Sequence, residues 1–174
     1  MFIPRRPHFV VFWRGLGHID PALSVLTDHV LTQARGIYLI FTEQEERRLQ
    51  PQYLGMTFGQ TFAQRIGQHL RGLARLGAAV PERRRLYVGI VHPQKYRALS
   101  RKMLSEIEHL LIWAVKPQGN NAQRRPYDGR EMLLENDGDD FGMPRFLYAN
   151  SLGPAVVFAQ GPSPDRMSQK IVHR

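Results

Sequence analysis

Six side chains in this sequence belong to types that handle phosphate, protons or a metal ion: Tyr38, Tyr53, Arg65, His69, Glu108 and Asn120. Arg65 and His69 stand at i and i+4, so on a helix they stack on one flank of the stripe made by Phe62, Ile66 and Leu70 and can face one ligand together. Glu108 lies in a stretch whose Leu104, Ile107, Leu111, Ala114 and Val115 share one helix face at 100° per residue. It falls on that face, whereas Glu106 points away. A carboxylate at the edge of an apolar stripe loses hydration and needs compensation, from a metal ion or from an arginine. Tyr38 and Tyr53 can equally be core aromatics with their hydroxyls tied off at the surface, and Asn120, shortly after Pro117, can be a turn residue. Singly each has this ordinary reading. It is their occurrence together that favours a functional reading.

The elements that must position them can be read from periodicity and punctuation. Asp20 can cap, and Pro21 can open, a helix with Leu23, Leu26, Val30 and Leu31 as its stripe. The β-forming run GIYLIF at 36–41 is followed by a charged stretch, Glu43 to Arg48, and by PQYLGMT, which together predict a hairpin with a long polar connection. Thr61 and Gln64 form a capping-box pattern that opens the helix carrying Arg65 and His69, with Gly67, Gly72 and Gly77 weakening it towards its end. Arg85 to Val91 reads as a third strand, and a helical pattern from about Arg97 to Lys116 carries Glu108 and stops at Pro117. Beyond Asn121 the signal weakens. EMLLENDGDDFG holds a Gly/Asp turn whose acidic spacing fits a solvated turn better than a calcium loop, RFLYANS and PAVVFA read as two more short strands, and the tail from Gly161 reads as loosely held.

The bulk properties bound the function classes. With 174 residues the chain can bury one core but not two ordinary ones, and no apolar run approaches the roughly 20 residues that span a bilayer. MFIPRRPHFVVFWRGLG has basic residues before an apolar stretch, but the stretch is brief and no small-residue cleavage site follows, a poor match to a signal peptide. The absence of cysteine excludes disulfides, zinc-thiolate sites and thiol nucleophiles, and it fits a cytoplasmic protein. The net charge of +9 comes largely from clustered arginines, Arg5-Arg6, Arg47-Arg48, Arg71 with Arg75, Arg83-Arg84-Arg85 and Arg124-Arg125. Such forks match phosphate, so nucleic acid is the expected partner, with Arg47, Arg48, Arg71, Arg75, Arg124 and Arg125 as candidate DNA contacts. No membrane partner is expected.

The six residues and their order resemble the GIY-YIG nuclease superfamily, which includes the incision nuclease of bacterial excision repair, some homing endonucleases and some restriction enzymes. The first motif is Gly36-Ile37-Tyr38 and the second is the variant Tyr53-Leu54-Gly55. Arg65 and His69 match the arginine and histidine one turn apart on the next helix. Glu108, followed by Leu111-Ile112 and then by Pro117 and Asn120, fills the later glutamate and the P-x-x-N stretch. The match covers about residues 35 to 121, with longer connections from Tyr38 to Tyr53 and from Tyr53 to Arg65 than in compact members.

The resemblance implies an α/β (α+β) fold: a small, three-stranded, mainly antiparallel sheet flanked by helices, with N-terminal helical and C-terminal extensions. The corresponding division is 1–34 as an extension with one helix, 35–121 as the catalytic core and 122–174 as a C-terminal extension. It further implies a metal-dependent endonuclease acting on DNA. Glu108 would hold one Mg²⁺ or Mn²⁺, Arg65 would bind the scissile phosphate, and Tyr38 would position or deprotonate the attacking water. Tyr53 and His69 would orient water and phosphate or share proton transfer, and Asn120 would brace the site. The competing expectation is a DNA-binding module that keeps such a fold without turnover, as part of a larger assembly. A basic RNA-binding protein has only the charge in its favour and lacks an RNP-type aromatic motif.

Overall fold

A computed structural model describes residues 7–19, 29–33, 35–43, 49–75, 84–94, 98–120, 126–138, 142–150 and 153–157. Its strands are β1 (His8–His18), β2 (Arg35–Glu43), β3 (Leu49–Phe58), β4 (Arg84–Pro93), β5 (Met132–Gly138), β6 (Phe146–Asn150) and β7 (Gly153–Val157). Its α-helices are α1 (Phe62–Arg75) and α2 (Arg101–Val115). From β2 to α2 the order is strand, strand, helix, strand, helix, as the periodicity predicts.

The sheet corrects the expected fold class. It is not a small three-stranded sheet flanked by helices but a seven-stranded mixed one, in the order β3-β2-β4-β1-β5-β6-β7. Neighbours pair antiparallel except β1 and β5, which are parallel, with Val11 facing Val91 of β4 on one side and Asn136 of β5 on the other. The N-terminal segment therefore supplies a central strand, where a helical extension was expected. Of the predicted helix from Pro21, residues 20–28 lie outside the described residues, and His29–Thr32 form one turn of 3-10 helix. Two signals were misread. In β1 the brief apolar stretch HFVVFW was assigned no strand, although Phe9, Val11 and Trp13 are buried at the spacing of two that a strand requires. In β5 the turn residues at 136–138 obscured the same alternation in Met132, Leu134 and Asn136, all buried. The two short strands expected near the C-terminus are the hairpin β6-β7.

Each face of the sheet holds its own core. Ile37, Leu39 and Phe41 of β2 pack with Phe9, Val11, Leu54 and the α2 residues Leu104, Ile107, Leu110 and Leu111. On the other face Tyr38, Ile40, Leu86 and Val88 pack with Phe62, Ile66 and Leu70 of α1. A strand covered on both sides reads as an unbroken apolar run, which is why GIYLIF does not alternate. Thr61 and Gln64 close the predicted capping box, the Thr61 N–H donating to Gln64 Oε1 (3.0 Å) and the Gln64 N–H to Thr61 Oγ1 (3.2 Å). Ser100 caps α2 by accepting from the Met103 N–H, and Lys116, in the left-handed region at φ 53°, ends it just before Pro117. No helix among the described residues is long and apolar enough to cross a membrane.

Candidate active site

β3 pairs only with β2, so its outer row of peptide groups faces away from the sheet. The chain just after α2 covers that row. Gln118 N–H donates to Pro51 O (3.2 Å), and Gly119 N–H to Gln52 O (2.6 Å). The Asn120 side chain then acts as a one-residue strand, accepting from Leu54 N–H at Oδ1 and donating from Nδ2 to Leu54 O, both at 2.8 Å. Asn120 is 4% exposed, so these bonds are made away from water. One peptide pair further along, the Met56 N–H is bonded by the carboxylate of Glu108, which is 9% exposed.

The two tyrosines reach this edge from the α1 side. The Tyr38 ring lies across Gly55, where an added Cβ would collide with its hydroxyl and Cζ and with the Tyr53 ring. The glycine of the second motif is thus what lets Tyr38 extend towards β3. The tyrosine rings are 6.0 Å apart at 33°, and the His69 imidazole stacks on Tyr53 at 3.7 Å and 28°. Gly36 has a matching role, since a Cβ there would meet the Phe62 ring and the Gly89 carbonyl and lift α1 away from the sheet.

Charges couple these groups. Burial raises the Glu108 carboxyl from 4.5 to about 7, against the Met56 N–H and Arg65, which both favour the ionised form. Burial also pushes the Tyr38 hydroxyl far above the ordinary tyrosine range, with Tyr53 and Glu108 adding to the rise and Arg65 opposing it. Tyr53 is raised by burial and by Glu108, again against Arg65. His69 is lowered by burial and then by Arg65 and Arg84, which keeps the imidazole neutral. Arg65, on the exposed flank of α1, is the charge that all four groups share. The Tyr38 hydroxyl is hydrogen-bonded to that of Tyr53, whereas His69 Nε2 is buried and has no hydrogen-bond partner among the described residues.

All six candidate residues from the sequence are described, and five of them interact: Tyr38, Tyr53, Arg65, His69 and Glu108. Asn120 stands apart from that electrostatic group and holds the strand behind it. The candidate DNA contacts Arg47, Arg48, Arg124 and Arg125 lie outside the described residues, as do the side chains of Arg71 and Arg75. Sequence reasoning missed two features. Arg84, placed only in a basic run, is 6% exposed and acts on His69, whereas its neighbour Arg85 is bound to Glu43 through Nε at 3.0 Å and Nη2 at 3.1 Å. Alternation along β4 separates the two, since Arg84, Leu86 and Val88 share the α1 face. Glu106, expected to point away, is bound by Arg130.

Among the described residues no three His, Cys, Asp or Glu side chains gather around one point. Comparison with protein families, with curated proteins and with solved structures finds no match for the chain.

Proposed function

We propose that the chain is a divalent-metal-dependent endonuclease of the GIY-YIG type, hydrolysing DNA phosphodiester bonds in the cytoplasm. What carries this reading is the gathering of two tyrosines, an arginine, a histidine and a desolvated carboxylate at one strand edge, from β2, β3, α1 and α2. Solvation chemistry fits a metal ion at Glu108: a carboxyl pushed up to about 7 by burial gains most from a hard cation, and a lone carboxylate suits an ion such as Mg²⁺ or Mn²⁺ that keeps most of its waters. When bound, such an ion supplies charge stabilisation for the leaving 3′ oxygen.

The remaining work falls to the chain's own side chains. Arg65 is exposed and offers its fork to the scissile phosphate, offsetting charge that develops on the phosphoryl oxygens. Burial disfavours the Tyr38 phenolate, so Tyr38 is assigned the part of orienting a water or a phosphate oxygen by hydrogen bonding. Neutral His69, its Nε2 unpartnered, is the group suited to accept a proton, and the stacked Tyr53 ring fixes the plane of the imidazole. A buried His69 Nε2 without a partner is explained when its partner arrives with the substrate.

The test is nicking of plasmid and branched DNA with and without Mg²⁺. The wild-type protein cuts only with the metal. Glu108→Gln keeps the volume and an oxygen for the Met56 N–H, and it lowers the rate by roughly 10³-fold or more while DNA affinity is kept or slightly raised. Cleavage by Glu108→Gln at the wild-type rate, or cleavage indifferent to metal, sinks the proposal.

A further inference from the structure

Beside the candidate active site, between α2 and residues 126–130, lies a cleft of about 820 Å³. Lys102, Ser105, Glu106 and His109 line it from the helix, positions that fall together on one flank at 100° per residue. Asp128, Gly129 and Arg130 form the facing wall. Glu108 also lines the cleft, at the border between this flank and the buried face of the helix. The residue whose carboxylate bonds the Met56 N–H at the β3 edge therefore also borders the cleft.

Along the cleft the Glu106 and Arg130 charges cancel, and His109 offsets Asp128 only when it is protonated. Arg130 grips Glu106 through Nε and, at 3.4 Å, through Nη2, and His109 Nδ1 stands 3.8 Å from Asp128 Oδ1. That leaves Lys102, which has no ion pair among the described residues, at one end and Glu108 at the other. Six residues of α-helix set them about 9 Å apart along the axis. A cleft of this volume is of the size that holds small organic ligands. Its chemistry suits a nucleotide: an anion site at Lys102, a site for the cation-bound phosphate at Glu108, and polar walls between them.

Resting on the endonuclease reading above, we infer that this cleft is a substrate subsite, which takes the nucleotide next to the scissile phosphate with its further phosphate on Lys102. The active site then grips the substrate strand on both sides of Glu108, with Arg65 on the α1 side and Lys102 on the α2 side.

Ser105 and Lys102 are exposed and lie outside the catalytic set, so both can be altered without disturbing the core. Ser105→Trp fills the cleft and raises KM for DNA about tenfold or more with kcat little changed, whereas Ser105→Ala, which leaves it open, stays within about twofold of wild type. Lys102→Ala raises KM and reduces the magnitude of the salt slope of DNA binding by about 0.9, the signature of one lost phosphate contact. Circular dichroism establishes that each variant is folded. If the wild-type protein cleaves DNA while Ser105→Trp and Lys102→Ala keep its KM and its salt slope, the subsite is wrong and the endonuclease reading stands. If the wild-type protein neither binds nor cleaves DNA, both fall together.

Discussion

The carboxyl of Glu108 is buried where ionisation is unfavourable, and this makes stability depend on pH in a definite sense. Its folded pKa, about 7, lies above the ordinary 4.5, so the folded protein binds the proton more tightly than the unfolded chain. The stabilisation from holding that proton is fully present below about 4.5 and is lost as pH rises through about 7. The cation proposed above would reverse the loss, because it would favour the ionised form in the folded state alone. Mg²⁺ should accordingly raise Tm more at about pH 8.5 than at about pH 5.5, and Glu108→Gln should show no such increment at either pH. Equal metal-induced shifts at the two pH values, or a shift that survives in the variant, would remove Glu108 as the metal ligand. At this scale the sequence was informative wherever a residue's neighbours lie on its own helix: the edge position of Glu108 and the pairing of Arg65 with His69 follow from helical spacing. It was silent on Arg84 and Glu106, whose partners come from other elements.

The edge of β3 shows why these elements hold the site rigidly. An edge strand leaves unpaired peptide groups that invite other chains, and here four consecutive outward groups are bonded by residues 119–120 and by Glu108. Asn120 is thus a clamp between the end of α2 and β3. Asn120→Ala leaves the Leu54 N–H and C=O buried and unpaired, which should cost about 2–3 kcal/mol in urea unfolding and lower activity through the looser placement of Glu108. An unchanged unfolding midpoint would show that the clamp does not bear on stability. Gly55→Ala should act differently, displacing Tyr38 and reducing kcat more than stability. If its kcat stays at the wild-type value, the approach of Tyr38 across Gly55 is unimportant. The capping box at Thr61 and the stop at Pro117 were legible because capping is local. The role of Asn120 was not, because its partner Leu54 lies in another strand and only the folded register brings them together.

At the scale of the molecule the net charge of +9 should make DNA affinity fall steeply with salt, with a slope of log K against log salt of at least about 4 in magnitude. Ca²⁺ should support binding but little cleavage, since its looser coordination does not impose the octahedral geometry of Mg²⁺. A slope near zero by fluorescence anisotropy, or equal nicking in the two metals, would overturn these expectations in turn. The sheet itself was the least legible feature, because its extent depends on β1, whose partners β4 and β5 are remote in sequence. That placement also governs how the chain is made. β1 is synthesised before both of its partners, so it must wait for β4 to take up one edge and for β5 to take up the other, the seam of the sheet closes late and folding should be slow for a chain of this size. Loss of residues 1–18 would remove the seam outright. The exposed borders of β4 and β5, rich in Val, Ile and Leu, would then be open to pairing between molecules, and the shortened chain should aggregate.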